Sequence, residues 1–292
     1  MDGGYLPSQF SNPLILPSTL GRDGKLTIQR FPQAVRTTIH VDSRDRDFAV
    51  HPTSSQFTVD LPETLKNVSS AVLVTAELPL SYYVFSAARG NTSLAVVVDG
   101  QALTVTIADG NYTPAQMAAA LKAALDTAFS KTFTVAINPS TMKTTIGVTG
   151  TVSVDATAAA KKTEWGLGYY LGFAGGVVTT GANAVTGTYV ANLNPENYLL
   201  LDIEDLNGLS QCAMYNAGGA GHKTFAKIPL NGTSYTYNFY DKLVTVVEQR
   251  PQLTKLDRLR VAVRFHDGSL VNLNGCEWSF SIEFACTLTR AL

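Results

Sequence analysis

Trp278-Ser279-Phe280-Ser281-Ile282-Glu283-Phe284-Ala285-Cys286-Thr287-Leu288 alternates at every position. Trp278, Phe280, Ile282, Phe284, Cys286 and Leu288 share one face, and Ser279, Ser281, Glu283, Ala285 and Thr287 share the other. One apolar face and one polar face mark a strand with a core on one side only, as in an antiparallel sandwich. The pattern extends backwards through the Asn274-Gly275 interruption to Asp267-Gly268, a pair that tolerates the positive φ of a tight hairpin. Before it, Leu259, Val261, Val263 and Phe265 alternate with Arg258, Arg260 and Arg264. The end of the chain therefore reads as a strand, a reversal and a closing strand.

The 292 residues suffice for one large β domain or two smaller ones, and either buries a substantial core. Charged residues make up 15% and apolar residues 45%; Thr, Val, Gly and Asn stand where a helical protein would place Glu and Lys. A net charge of −1 argues against a nucleic-acid surface, which needs clustered Lys and Arg. The densest basic group, Lys255, Arg258, Arg260 and Arg264, falls mostly on the polar face of one strand and reads as a solvated face. Three cysteines, Cys212, Cys276 and Cys286, make no disulfide framework and point to synthesis in a reducing compartment. No signal peptide is expected at Met1-Asp2-Gly3-Gly4, and apolar runs such as Leu94 to Val98 fall far short of the roughly 20 residues of a membrane span.

Residues 1–35 carry Pro7, Pro13, Pro17 and Pro32 among apolar residues without a period. Proline removes donors and fixes φ, so helix and central strand are disfavoured. The segment reads as an extended arm lying along its own surface or a neighbour's, with Tyr5, Phe10, Leu14, Ile15 and Leu16 as candidate partner-binding residues; a loose terminus is the alternative. From Arg36 strands are expected over Arg36 to Val41, Gln56 to Leu61 and Ala71 to Leu78. Asp42-Ser43-Arg44-Asp45-Arg46-Asp47 offers three carboxylates, but its arginines favour a turn whose acids pair with its own cations over a calcium loop.

Residues 91–191 change character. Leu103 to Ala108 alternates, and then Thr113, Pro114 and Gln116 form a capping box that starts a helix. Met117, Leu121, Leu125 and Phe129 make its buried stripe. Phe133 to Ile137 and Thr144 to Val148 read as a hairpin, and Trp165 to Phe173 as a short helical turn. This is the pattern of an inserted α+β subdomain between two β-rich parts, residues 36–90 and 192–292. In the second part Ser210 to His222 reads as a long connection, followed by short strands over Lys227 to Leu230, Ser234 to Phe239 and Leu243 to Val247. Short strands with frequent turn signals imply a mainly β fold, an antiparallel jelly-roll sandwich.

No nucleophile elbow, zinc-protease helix, phosphate loop or dinucleotide fingerprint occurs in the sequence. Gly166-Leu167-Gly168 and Gly218-Gly219-Ala220-Gly221 read as turns. His40, His51, His222 and His266 lack the spacing of metal ligands. His266 beside Asp267 is the first acid/base pair to test, and Cys212 with His222 the first thiol/base pair, against plain readings as hairpin polarity and a buried thiol. Glu277 and Glu283 read as charges on a strand's outer face rather than a glycosidase pair. The expectation is a protein that is not an enzyme and holds no cofactor or metal.

Val41 to Asp47, Ser55 to Pro62, and Val72 to Pro79 with its Ala76-Glu77-Leu78-Pro79 together resemble the N-terminal signature of minor capsid proteins from nucleocytoplasmic large DNA viruses, the group of the chloroviruses and mimiviruses. Asp109 to Pro114 with the following helix, and Leu171-Gly172-Phe173, are similar to an inset of such virion proteins; the closing stretch from Leu256 to Phe284 fits the same pattern. The resemblance implies a non-enzymatic jelly-roll component of the capsid shell, minor capsid or penton-type. It would be made in the host cytoplasm and form homo- or hetero-oligomers with the major capsid protein and other minor capsid proteins. A rival from another class is a glycan- or receptor-binding head that uses Tyr82, Tyr83, Tyr169 and Tyr170, because a jelly roll serves both roles.

Overall fold

The computed structural model describes residues 19–20, 26–27, 34–156, 166–175, 178–207, 213–215, 221–231, 237–241 and 246–287. Tyr5, Phe10, Leu14, Ile15, Leu16, Cys212 and Leu288 lie outside the described residues. In chain order the strands are β1 (Thr19–Leu20), β2 (Leu26–Thr27), β3 (Ala34–Asp42), β4 (Gln56–Pro79), β5 (Ser93–Val98), β6 (Gln101–Thr106), β7 (Thr134–Ile137) and β8 (Thr144–Asp155). They continue with β9 (Val178–Thr186), β10 (Tyr198–Ile203), β11 (Ala213–Tyr215), β12 (Gly221–Lys223), β13 (Ala226–Pro229), β14 (Tyr237–Asp241), β15 (Val246–Arg264) and β16 (Ser279–Thr287). Helices are α1 (Pro114–Phe129), α2 (Leu167–Tyr170) and α3 (Glu204–Asn207).

The fold is mainly β with antiparallel sheets, as the alternation of the closing stretch leads one to expect. Its ladder runs β13-β10-β15-β4-β16-β3, with β14 also on β4. What the sequence presents as separate short strands is fused: β4 spans 24 residues and β15 spans 19. A straight strand would hold Phe57 and Glu77 roughly 65 Å apart. Yet the Phe57 ring lies 5.9 Å from Trp278, while Glu77 is the ladder partner of Ser279, the next residue. The long strands therefore bend over on themselves and pass from one layer to the other. The bend coincides with Asn67 at φ 51° and with register shifts in β15 between Glu248 and Leu253 and between Leu256 and Arg258. Turn residues such as Pro62 and Asn67 mark this bend rather than strand ends, and a bulge absorbs it without ending the ladder.

One layer is β13-β10 with the second half of β15 and the first half of β4; the other is the second half of β4 with β14, β16 and β3. Trp278, Phe280, Ile282 and Phe284 of the closing stretch are at most 3% exposed and meet Phe57, Leu73, Leu78 and Val263 in the core. Cys286 is half-buried, next to a further register shift.

A second sheet, ordered β6-β5-β8-β7 with β9 on the far edge of β8, is built from residues between Ser93 and Thr186. Helix α1 covers it with Met117, Leu121, Leu125 and Phe129, all buried. The capping box is formed: Thr113 Oγ1 accepts from the Gln116 N–H at 3.3 Å, and Gln116 Oε1 accepts from the Thr113 N–H at 3.0 Å. Strands β5 and β9 are additions to the sequence expectation. Asp99 and Gly100, at φ 50° and 86°, turn β5 into β6, so an Asp-Gly signal was present there. By contrast Gly268 alone takes positive φ at the Asp267-Gly268 reversal, which closes as a longer loop from Phe265 to Ser269.

Within residues 1–35, β1 and β2 pair with each other through Thr19↔Thr27 and Leu20↔Leu26. Ser210 to His222 is not all connection, since β11 and β12 pair as a hairpin.

Candidate interaction surfaces

The aspartate-arginine run after β3 builds a corner. Asp42 accepts from the Arg44 N–H at 2.9 Å and from Nη2 at 2.5 Å, and the Arg44 side chain holds its carboxyl below the usual aspartate range. Arg46 turns inward instead and is 6% exposed. Its Nη1 donates to Glu277 Oε2 at 2.5 Å and to the Ser43 carbonyl at 2.6 Å, its Nε donates to the His51 carbonyl at 2.9 Å, and its guanidinium lies 4.1 Å from the Phe48 ring centre. Ser43 Oγ donates to the same carboxylate and accepts from the Trp278 N–H. Burial pushes the Glu277 carboxyl up, but hydrogen bonds from Arg46 and Ser43 outweigh it and the net shift is downward. Glu277 is thus the anchor of the corner and not an outer-face charge, and one of the two arginines reaches across the fold rather than to its own acids. Among the described residues no group of three or more His, Cys, Asp or Glu side chains is placed to hold a metal.

Beside this corner a groove of about 440 Å³ runs between the two layers, lined by Ile39 to Asp42, Asp45, Asp47 and Thr58 to Pro62. Sequence reasoning missed it, because its walls come from stretches 11 or more residues apart, Ile39 to Asp47 and Thr58 to Pro62, that meet only through the bent β4.

Two of the histidines, His40 and His266, hydrogen-bond through their rings. His40 Nδ1 lies 2.8 Å from Ser281 Oγ, which also accepts from Thr75 Oγ1 at 3.0 Å. His40, Ser281 and Thr75 are register partners on three adjacent strands, so this serine-histidine contact is a cross-strand ladder rather than a nucleophile held at a turn. His266 Nδ1 meets the Tyr198 hydroxyl at 2.6 Å, while Asp267 accepts from the Ser269 backbone and hydroxyl. The two neighbours serve different partners and do not form the acid/base pair. Arg260 and Arg264 are also engaged, with Asp205 and the buried Asp202, both at 2.7 Å.

Tyr82 and Tyr170 are 6% and 1% exposed, so they belong to the core and leave the exposed aromatic set expected of a receptor head. Tyr83 and Tyr169 are 38% and 40% exposed, and Tyr189, at 63%, joins them at the surface. Both buried tyrosines sit where the chain passes between the two sheets. There Arg89 Nη2 donates to Glu196 Oε1 at 2.6 Å, its Nη1 to the Val84 carbonyl at 3.2 Å, and its guanidinium lies 4.0 Å from the Phe265 ring centre. Burial, with Glu196 adding to it, raises the Tyr82 hydroxyl far above its usual range.

The family described as "Family of unknown function (DUF5901)" matches residues 27–235. No curated protein matches the chain. Among solved structures it is similar to the mavirus penton protein, with 10% identity and a TM-score of 0.46 over 86% of this chain and 99% of that one. It is also similar to a chain of the Sputnik virophage structure, with 9% identity and a TM-score of 0.43 over 87% and 98%.

Proposed function

We propose that this chain, which belongs to the family of unknown function DUF5901, is a non-enzymatic structural protein of a large icosahedral DNA virus, minor capsid or penton-type, located in the capsid shell. In this reading residues 36–90 and 192–292 form the jelly roll, residues 91–191 project from it, and the arm of residues 1–35 contacts the major capsid protein and other minor capsid proteins. The carrying observation is that β3, which follows the arm in sequence, is an edge strand among the described residues: β16 pairs with it on one side, and Ala34 to Thr38 are exposed. An open edge next to an apolar arm is a surface for adding a neighbour's backbone. The resemblance of Val41 to Asp47, Ser55 to Pro62 and Val72 to Pro79 to minor capsid signatures supports the same reading.

Purified chain mixed with purified major capsomers should co-sediment in the analytical ultracentrifuge; two separate boundaries at micromolar concentrations would count against the proposal. A receptor-binding head remains the second reading, favoured by the exposure of Tyr83, Tyr169 and Tyr189. Specific hits on a glycan array, lost when Tyr189 is replaced by Ala, would favour it.

A further inference from the structure

The groove beside the Asp42–Asp47 corner is bounded by two strands that each lack a ladder partner on one edge among the described residues. β3 pairs with β16 alone, and the first half of β4, Gln56 to Lys66, pairs with β15 alone. Ile39, Val59 and Leu61 contribute partly buried apolar surface that packs against the core. Asp45, Asp47 and Asp60 add exposed carboxylates, and no Lys or Arg lines the groove. Asp42 is neutralised by Arg44, and Arg258, opposite Asp60 in the ladder, has its Nε 3.8 Å from Asp257. Such a slot fits an extended segment that carries apolar residues on one face and cations at its ends. Pro62 has no N–H to offer, so the added strand hydrogen-bonds to β3 and lays its side chains on Val59 and Leu61.

We propose that the groove receives residues Lys25 to Arg30 from the N-terminal arm of a second copy of this chain, as a strand added to β3. The segment Lys25-Leu26-Thr27-Ile28-Gln29-Arg30 has the required pattern: Leu26 and Ile28 alternate with Thr27 and Gln29 between two cations. Arg30 lies four positions ahead of Ala34, roughly 14 Å of extended chain, so the segment reaches a second copy whose β3 lies close beside its own. Among the described residues Leu26–Thr27 pairs with Thr19–Leu20 and not with β3 or β4. The C-terminal residues are a poorer occupant, because β16 ends at Thr287 opposite Ala34, at the far end of β3 from Asp42. This inference rests on the structural-protein reading and names one of its contacts.

Sedimentation velocity on the full chain tests it through charge exchange. Asp45→Lys with Asp60→Lys, and separately Lys25→Glu with Arg30→Glu, should each weaken self-association at least tenfold. The chain carrying all four changes should recover it, and so should an equimolar mixture of the two double variants, in which each arm meets a groove of opposite charge on the other variant. Unchanged self-association in the groove variant, or a parent chain monomeric up to about 100 μM, overturns the inference. Where a variant fails to fold by circular dichroism, a labelled peptide of residues 19–33 is titrated onto the folded Lys25→Glu/Arg30→Glu chain. Saturable anisotropy that falls at high salt is expected, and no binding overturns the proposal. Co-sedimentation with capsomers without peptide binding defeats the groove alone. Peptide binding without capsomer binding defeats the virion reading and leaves the groove standing.

Discussion

Two residues of the closing stretch show how sequence pattern becomes energy. Phe284 is fully buried and stands in ladder register with Ala71 and Thr37. Replacing it by Ala removes the ring and leaves a cavity that flanking strands cannot fill, so urea unfolding should show a loss of about 3–5 kcal/mol. A loss below about 1 kcal/mol would mean that the layer is loosely packed there. Glu277 tests electrostatics. Its folded pKa lies below the ordinary 4.5, so its contribution is fully present above pH 4.5 and is lost as pH falls through the lower folded value. Glu277→Gln should therefore melt below the parent at pH 7, with the gap closing as pH falls below 4.5. A gap independent of pH would assign the loss to packing around Trp278. The alternation of residues 278–288 made the first site legible in advance. The second was not, because no local pattern shows that Arg46 crosses 231 positions of sequence to reach Glu277.

Among elements, legibility tracked how local the cause is. Helix α1 is fixed by groups within one turn, so Thr113, Pro114, Gln116 and the four-residue spacing of Met117, Leu121, Leu125 and Phe129 were sufficient. Strands β4 and β15 resisted because a bend between layers and an end to a strand use the same residues, and only the partner strand distinguishes them. The groove followed the same fate, since it exists only after that bend. The crossing between the sheets makes a further testable unit. Arg89 and Glu196 come from the outgoing and returning connections, and their side chains are 14% and 8% exposed. Breaking a pair this buried from one side leaves a charge without its partner and should cost about 3–5 kcal/mol. In a double-mutant cycle Arg89→Met with Glu196→Gln should cost clearly less than the sum of the single changes. Hydrogen exchange should show the single variants uncoupling the β5–β9 sheet from the main sandwich, and additive losses with no change in exchange would deny the pair this role.

At the scale of the whole molecule, the interior and the surface do separate jobs. The buried aromatics, the Arg46–Glu277 corner and the Arg89–Glu196 tie are all internal, whereas the open edge of β3, the groove and Tyr189 face outward. Composition could indicate the first group, because a core is a property of one chain. It could not indicate the second, because an edge or groove is defined by strands distant in sequence and acquires its meaning from a second molecule. The arm separates the two. If Tyr5, Phe10, Leu14, Ile15 and Leu16 serve contacts with neighbours, their removal takes nothing from the interior. Deleting residues 1–30 should then leave the melting temperature of the isolated chain within about 2 °C, because a change of 1 kcal/mol moves a domain of this size by roughly that much. The same deletion should sharply reduce co-sedimentation with capsomers. A fall of 8 °C or more in the isolated chain would instead place the arm in the core of its own molecule. In that case the open edge of β3 would be covered from within and unavailable to a second copy.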